Sequence, residues 1–124
     1  MNDLIGLEYC WGAHPRDGSN KTDCFQLVCE IRTRLGFSDH SEKFAWAYWW
    51  FTAETLKPRH VARWLLQSGK RIKIPRDGAV ALLSQADNAA LGTVVDGRVI
   101  CISPGGCVVS LPVDRVSAYY FWVD

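Results

Sequence analysis

The stretch NKTDCFQLVCEI, residues 20–31, places Cys24 beside an aspartate at the start of a predicted helix. Thr22 is suited to cap that helix, and Gly36 stands where a left-handed residue often ends one. The apolar residues between them recur at helical spacing: Leu27, Val28, Ile31 and Leu35. Cys24 falls on the same stripe within the first turn. We therefore expect its side chain to point into the protein, at the helix end that stabilises negative charge.

The segments on either side of this helix are predicted to be a loop and two further helices. Residues 12–21, GAHPRDGSNK, are rich in the residue types that form turns, which predicts a loop. Residues 42–56, EKFAWAYWWFTAETL, are predicted to form a second helix with aromatic residues on every side. Pro58 suits the first turn of a third helix, which is predicted to close near Gly69.

Beyond Pro75 the chain changes to the period-two pattern of strands. Five short strands are predicted, over residues 78–84, 89–95, 98–103, 106–111 and 118–123. Asp96 and Gly97 are the strongest two-residue signal for a hairpin, and they join the second strand to the third. Helices followed by a run of strands predict an α+β protein, with N-terminal helices packed on a five-stranded, mainly antiparallel sheet.

Length and composition are those of one globular domain. The 124 residues are 48% apolar and 22% charged, which is enough for a single hydrophobic core over residues 1–124. The formal net charge is +1, so we expect neither nucleic acid nor an anionic membrane as a partner.

Targeting segments and metal-binding patterns are not recognisable in the sequence. The chain has no run of eighteen apolar residues, and its first ten residues, MNDLIGLEYC, do not resemble a signal peptide. We therefore expect no transmembrane segment and no export signal. The cysteines are odd in number and lack CxxC spacing, so we expect reduced thiols, no disulfide framework, no metal site and no cofactor. These cysteines are Cys10, Cys24, Cys29, Cys101 and Cys107.

The order of residues around Cys24 resembles the NlpC/P60 family, papain-like cysteine peptidases that typically cut the peptide stems of bacterial cell walls. In that family a tyrosine, a Trp-Gly pair and a glycine-containing turn lead into an Asp-Cys pair that opens the catalytic helix. The matching residues here are Tyr9, Trp11, Gly12, Gly18, Asp23 and Cys24. The resemblance continues in PRDGAVALLS, residues 75–84, and in LGTVVDGRVICIS, residues 91–103. It covers nearly the whole chain and implies a single domain with the papain-like NlpC/P60 fold.

The resemblance also implies which residues occupy the catalytic positions. Cys24 stands at the position of the nucleophile. The family histidine opens a strand written His-Val-Gly-Ile, and the equivalent position here is Ala90. A polar residue on the next strand orients that histidine, and the equivalent position here is Cys101. Because an imidazole both stabilises the thiolate and protonates the leaving amine, its loss removes the proton carrier of the reaction.

Several residues near Cys24 have two interpretations at this point. His14, in the loop before the helix, is the candidate for a substitute base, whereas His40 and His60 are expected to be surface residues. Cys24 is either a nucleophile or an inert buried thiol. Asp23 either acts beside the thiol or is only a first-turn carboxylate favoured by the helix dipole. Tyr9 either lies near a substrate groove, as the resemblance implies, or is a core aromatic residue.

These observations favour a catalytically degenerate NlpC/P60-like domain that is a structural or binding component of a phage-like tail or baseplate. Trp46, Trp49 and Trp50, within FAWAYWWF, would then contact other virion proteins, because six tryptophans exceed what a small core needs and tryptophan is enriched at interfaces. The same rings would alternatively fill the core. A second hypothesis is an active cysteine peptidase or amidase that acts on peptidoglycan stem peptides with a non-standard base. A third is a peptide-binding domain that retains only the groove. The implied location is a virion tail or the bacterial cytoplasm.

Overall fold

The structure, a computed structural model, describes residues 1–52, 54–83 and 90–123. Its α-helices are α1 (Cys24–Arg34), α2 (Ala47–Trp50) and α3 (Pro58–Ser68). Short 3-10 helices cover Asn2–Leu4 and Val113–Arg115. The strands are β1 (Glu8–Tyr9), β2 (Lys21–Thr22), β3 (Gly69–Ile72), β4 (Val80–Leu83), β5 (Ala90–Val95), β6 (Arg98–Ile102), β7 (Val108–Pro112) and β8 (Ala118–Val123). The predicted α+β class is confirmed.

The main sheet has six strands in the order β3-β8-β4-β5-β6-β7, and every neighbouring pair is antiparallel. The five predicted strands correspond to β4 to β8. The predicted end of β4 at residue 84 and the predicted start of β5 at residue 89 lie outside the described residues. The predicted strand count was wrong, because β3 adds a sixth strand. It follows α3 directly at Gly69 and has two exposed cations among its four residues, so neither a turn signal nor an apolar run marks it. Strands β1 and β2 form a separate parallel pair.

The hairpin between β5 and β6 forms where the sequence places it. Val95 pairs with Arg98, and the two residues between them have positive φ angles, 53° at Asp96 and 72° at Gly97. A two-residue turn of this kind matches the right-handed twist of its strands and needs positive φ at both positions. The predicted hairpin is therefore confirmed.

Helix α1 begins and ends close to its predicted bounds, but its cap is Asp23. The Asp23 side chain accepts a hydrogen bond from the backbone amide of Gln26 at 2.7 Å. The predicted cap, Thr22, instead donates its hydroxyl to the carbonyl oxygen of Asp23 at 2.9 Å. Gly36 follows the helix with φ of 89°, the left-handed conformation expected there.

The aromatic segment, which is our term for residues 42–56, is not the long helix that its composition predicts. Helix α2 has four residues, and Phe51 after it is extended. The Thr52 amide then donates to the Thr55 hydroxyl at 2.7 Å, a local turn that replaces a further helical turn. Aromatic residues have modest helix propensity, so tertiary contacts of the rings decide the backbone here. Helix α3 does form as predicted, with Pro58 in its first turn and Gly69 after its last residue.

The described residues form three apolar clusters, of which two lie between the sheet and the helices and one lies on the opposite face of the sheet. This division positions the candidate site. Helix α1 packs on β5 and β6. Along β5, Leu91 belongs to a cluster on the helix side, whereas Ala90 and Val94 belong to the cluster on the opposite face. This alternation is the period-two geometry of a strand. In the part of the chain that the structure describes, no helix has both the length and the apolar character needed to cross a bilayer.

Candidate functional site

Cys24 is the first residue of α1 and borders an apolar cavity of about 80 Å³. The residue is half-buried and packs on the cluster that contains Val28 and Leu91. The backbone amide of Leu91 hydrogen-bonds the Cys24 sulfur. The cavity also contacts rings from the aromatic segment and α3, including Phe44, Tyr48 and Trp64. The helix start is therefore enclosed by apolar groups, as predicted for an inward-pointing side chain.

The surroundings of Cys24 favour the neutral thiol. Removal from water, and to a smaller extent the adjacent Asp23 carboxylate, raises the pKa of the Cys24 thiol to about 12. The amide of Leu91 and the first amides of α1 act in the opposite direction, but they do not outweigh burial. Nucleophilic cysteines normally have a pKa well below the free value. Near pH 7 this sulfur therefore carries its proton.

Asp23 joins three segments of the chain through its carboxylate. Besides capping α1 at Gln26, it accepts a hydrogen bond from the Gly12 amide at 2.9 Å and another from the Tyr48 hydroxyl at 2.5 Å. Its side chain is buried, and burial raises the pKa of the carboxyl although these three donors lower it. Burial and the contact with Asp23 raise the pKa of Tyr48 as well. Asp23 thus has a clear structural role, in fixing the entry loop and the aromatic segment to α1.

On β5, the residue that packs beside Cys24 is Leu91. Ala90, expected at the base position, packs with Ala79 and Ala81 on the far face of the sheet. Cys101, expected at the orienting position, is buried in that same far cluster and forms no disulfide. The structure therefore does not bring Ala90, Cys101 and Cys24 together. The β5 side chain that approaches the thiol is aliphatic.

The histidines have identifiable surroundings. His14 accepts a hydrogen bond at Nδ1 from the Arg16 amide at 3.0 Å, within its own loop. His60 accepts one at Nδ1 from the Lys57 amide at 3.1 Å and packs on Trp64, so it is not the simple surface residue expected. His40 was also expected at the surface, but it borders the same cavity as Cys24. Its Nε2 atom is buried without a hydrogen-bond partner in the described part of the chain.

Tyr9 and the tryptophans differ in how far they are exposed. Tyr9 is 40% exposed, and burial of the rest raises the pKa of its hydroxyl to about 12, with the charges of Cys24 and Asp23 contributing to the rise. Tyr9 is thus a partly exposed residue near the thiol. Trp49 and Trp50 are 89% and 78% exposed, whereas Trp46 packs edge-on against Trp64 and is 43% exposed.

No metal centre is present among the residues that the structure describes, because they contain no group of three or more His, Cys, Asp or Glu side chains able to hold an ion. Comparison with models of known protein families, with curated proteins and with solved structures finds no match. The NlpC/P60 resemblance therefore stays a prediction that depends on the residues quoted for it.

Three residues at this site were missed by sequence reasoning. Tyr48 was predicted only as one of the aromatic residues of the second helix, yet its hydroxyl donates a hydrogen bond to Asp23. Leu91 could have been found, because the period of two places it opposite Ala90 on the strand. His40 had no signal, since its place beside the cavity depends on contacts between segments that are distant in sequence. Chemically, the site can enclose a small apolar group beside a protonated thiol.

Proposed function

We propose that this protein is a catalytically silent NlpC/P60-like domain with a papain-like arrangement, which acts as a structural or binding component of a phage-like tail or baseplate. The single observation that carries the proposal is the aliphatic contact at the thiol. Leu91 faces the start of α1 from the strand on which the family places its histidine. Acyl transfer by a thiol needs a proton acceptor at that place.

The electrostatics of the site support the same proposal. A buried thiol that keeps its proton cannot attack an amide at a useful rate, and the Asp23 charge beside it increases the energy of the thiolate. The Asp23 carboxylate is itself engaged by Gly12, Gln26 and Tyr48. These interactions stabilise the helix start without any reaction. The Asp-Cys pair that resembles a catalytic motif therefore serves the fold.

Other tail proteins are the partners that this role implies. Among the described residues, Trp49 and Trp50 are large apolar side chains that the fold itself leaves in water. Exposed tryptophans are characteristic of interaction surfaces and are unfavourable in a domain that acts alone. A binding role is thus supported by a surface, whereas the thiol site offers an enzyme no proton acceptor on β5.

The test is hydrolysis of purified peptidoglycan and of synthetic stem peptides. We expect no product above background from the natural chain, and no difference between it and a Cys24→Ala variant. Product formed by the natural chain and abolished in Cys24→Ala would overturn the proposal. The alternative is an active peptidase or amidase with a non-standard base. In that case His14→Ala or His40→Ala would identify the base, since His40 shares the cavity with Cys24.

A further inference from the structure

The small net charge of the chain conceals a strong segregation of charge. Residues 43–76 contain one carboxylate, Glu54, and eight of the fourteen cations in the chain, which gives this segment a formal charge of +7. The remaining residues therefore sum to −6. The cations are Lys43, Lys57, Arg59, Arg63, Lys70, Arg71, Lys73 and Arg76. The net charge of +1 is therefore the sum of a strongly basic segment and an acidic remainder.

Among the described residues, no ion pair neutralises the cations of this segment. All the ion pairs among the described residues lie outside it, and they involve Met1, Arg16 and Arg34 with Asp3 and Glu30. Inside the segment, Lys43 lies over the Phe44 ring and Arg71 over Tyr119, which leaves their charges uncompensated. An unpaired cluster of like charges attracts an anionic partner.

The same segment carries most of the large apolar side chains that face water. Five of the nine such side chains among the described residues fall within it. They are Trp46, Trp49, Trp50, Leu66 and Ile74, with exposures from 43% to 89%. Tryptophan side chains and the aliphatic stems of lysine and arginine favour the boundary between water and hydrocarbon.

We term the exposed side chains of residues 43–52 and 54–76, other than Lys70, the basic aromatic surface, and contacts join its three parts, which are the aromatic segment, α3 and β3. The aromatic segment meets α3 where Trp46 packs on Trp64 at 5.1 Å between ring centroids. Arg59 and Arg63 are exposed on α3, which packs on β3. Strand β3 is an edge of the sheet, and of its two exposed cations Arg71 lies on the face that α3 covers, whereas Lys70 lies on the opposite face.

We infer that the basic aromatic surface binds an anionic lipid bilayer. Nucleic acid would account for the cations and the rings, but it makes no use of the exposed aliphatic side chains Leu66 and Ile74. A bilayer uses all three features, because cations meet anionic headgroups while tryptophan and aliphatic groups enter the boundary layer. The inference does not depend on the silent thiol site, but it gives Trp49 and Trp50 a bilayer as partner where the proposed function gives them tail proteins, and the vesicle experiment tests that choice. It differs from the expectation of no membrane partner, which was drawn from net charge.

The experiment is sedimentation of the full chain with vesicles of phosphatidylcholine alone and of phosphatidylcholine with one quarter phosphatidylglycerol. We expect binding to the anionic vesicles, little binding to the neutral ones, and a blue shift of tryptophan emission on binding. Binding should weaken as salt is raised from low to physiological concentration, because screening shortens the reach of the headgroup charge.

Matched variants test whether vesicle binding depends on the basic aromatic surface or only on the net charge of the chain. Arg59→Gln with Arg63→Gln should weaken vesicle binding about thirtyfold, at roughly fivefold per cation. Lys21→Gln with Arg115→Gln removes the same charge from exposed residues elsewhere and should leave binding within about twofold. Trp49→Ala with Trp50→Ala should weaken binding about tenfold or more, and neither ring is needed by the core.

Three results would overturn the inference. One is no binding to anionic vesicles at low salt. Another is an equal loss of binding in the Arg59→Gln, Arg63→Gln double variant and in its Lys21→Gln, Arg115→Gln control. The third is tighter binding of a twenty-nucleotide oligothymidylate than of the vesicles, which would assign the surface to single-stranded nucleic acid. Each result is independent of peptide hydrolysis, so failure here is distinguishable from failure of the proposed function.

Discussion

Replacement of Asp23 by alanine tests whether this carboxylate is structural. The change removes the cap of α1, which typically costs about 1 kcal/mol. It also leaves the Gly12 amide and the Tyr48 hydroxyl without the acceptor they share at Oδ2, at about 1 kcal/mol each in partly buried surroundings. We therefore expect a loss of about 3 kcal/mol in the free energy of unfolding, a large fraction of the stability of a small domain.

The assay is equilibrium unfolding in urea, followed by tryptophan fluorescence and by circular dichroism. Asp23→Asn should lose about 2 kcal/mol, because it keeps an acceptor for Gln26 but points an amide group at the Gly12 donor. Asp114→Ala is the matched control, since Asp114 is an exposed carboxylate in the first turn of a 3-10 helix, and it should stay within about 0.5 kcal/mol. A loss below about 1 kcal/mol in Asp23→Ala would refute the structural role.

The remaining stability predictions concern Glu30 and Gly78. The Glu30 carboxylate is buried and bonds Arg16 and Arg34 at 2.8 Å, so Glu30→Gln should cost about 2 kcal/mol at pH 7. Burial raises the Glu30 pKa, but the two arginines outweigh it and the net pKa is lowered, so this stability is present above pH of about 4.3 and lost on acidification. This prediction is contradicted if the difference in free energy of unfolding between the natural chain and Glu30→Gln stays constant from pH 7 to pH 2. Gly78→Ala should cost about 2 kcal/mol or more, because Gly78 has φ of +87° and a Cβ there would lie 2.3 Å from the Phe37 ring. Gly105→Ala, whose Cβ would meet nothing closer than 3.6 Å, is its control, and equal melting temperatures of the two variants would refute the argument.

The parts of the fold that sequence predicted are those determined locally. Helix α1 has a periodic apolar stripe with a cap and a terminal glycine, and the β5–β6 hairpin has a turn that few other residue pairs permit. The long helix predicted for the aromatic segment was wrong, because its rings pack on Trp11, Phe25 and Trp64 and these tertiary contacts override helix propensity. Strand β3 was not predicted, because half of its residues are exposed cations and only its pairing with β8 defines it as a strand.

The site was harder to predict than the fold because a strand has a period of two. An error of one position moves a side chain to the opposite face of the sheet. Alignment to a family motif placed Ala90 at the thiol, whereas the strand brings Leu91 there. Both residues are apolar, so the expected absence of a base on β5 does not depend on which of them is chosen. The place of His40 at the cavity and the Tyr48–Asp23 hydrogen bond depend on contacts between distant parts of the chain, which no local sequence pattern indicates.

The cysteines provide an internal reference for the central claim that Cys24 is not a nucleophile. Cys10 is exposed, whereas Cys24 borders the apolar cavity and its pKa is raised to about 12. At pH 7.5 a thiol with that pKa has about a thousandth or less of the thiolate of an ordinary cysteine. Alkylation by iodoacetamide measures the thiolate directly, and peptide mass spectrometry assigns the label to each residue.

The decisive measurement is the rate of alkylation at Cys24 relative to Cys10 in the native chain, as a function of pH from 5 to 10. A silent site predicts that Cys24 reacts at least about a hundredfold more slowly at pH 7.5, with a rate still rising at pH 10. Labelling of Cys24 faster than of Cys10, with a midpoint near neutrality that is lost in His14→Ala or His40→Ala, would contradict the account and identify a working thiol–imidazole pair.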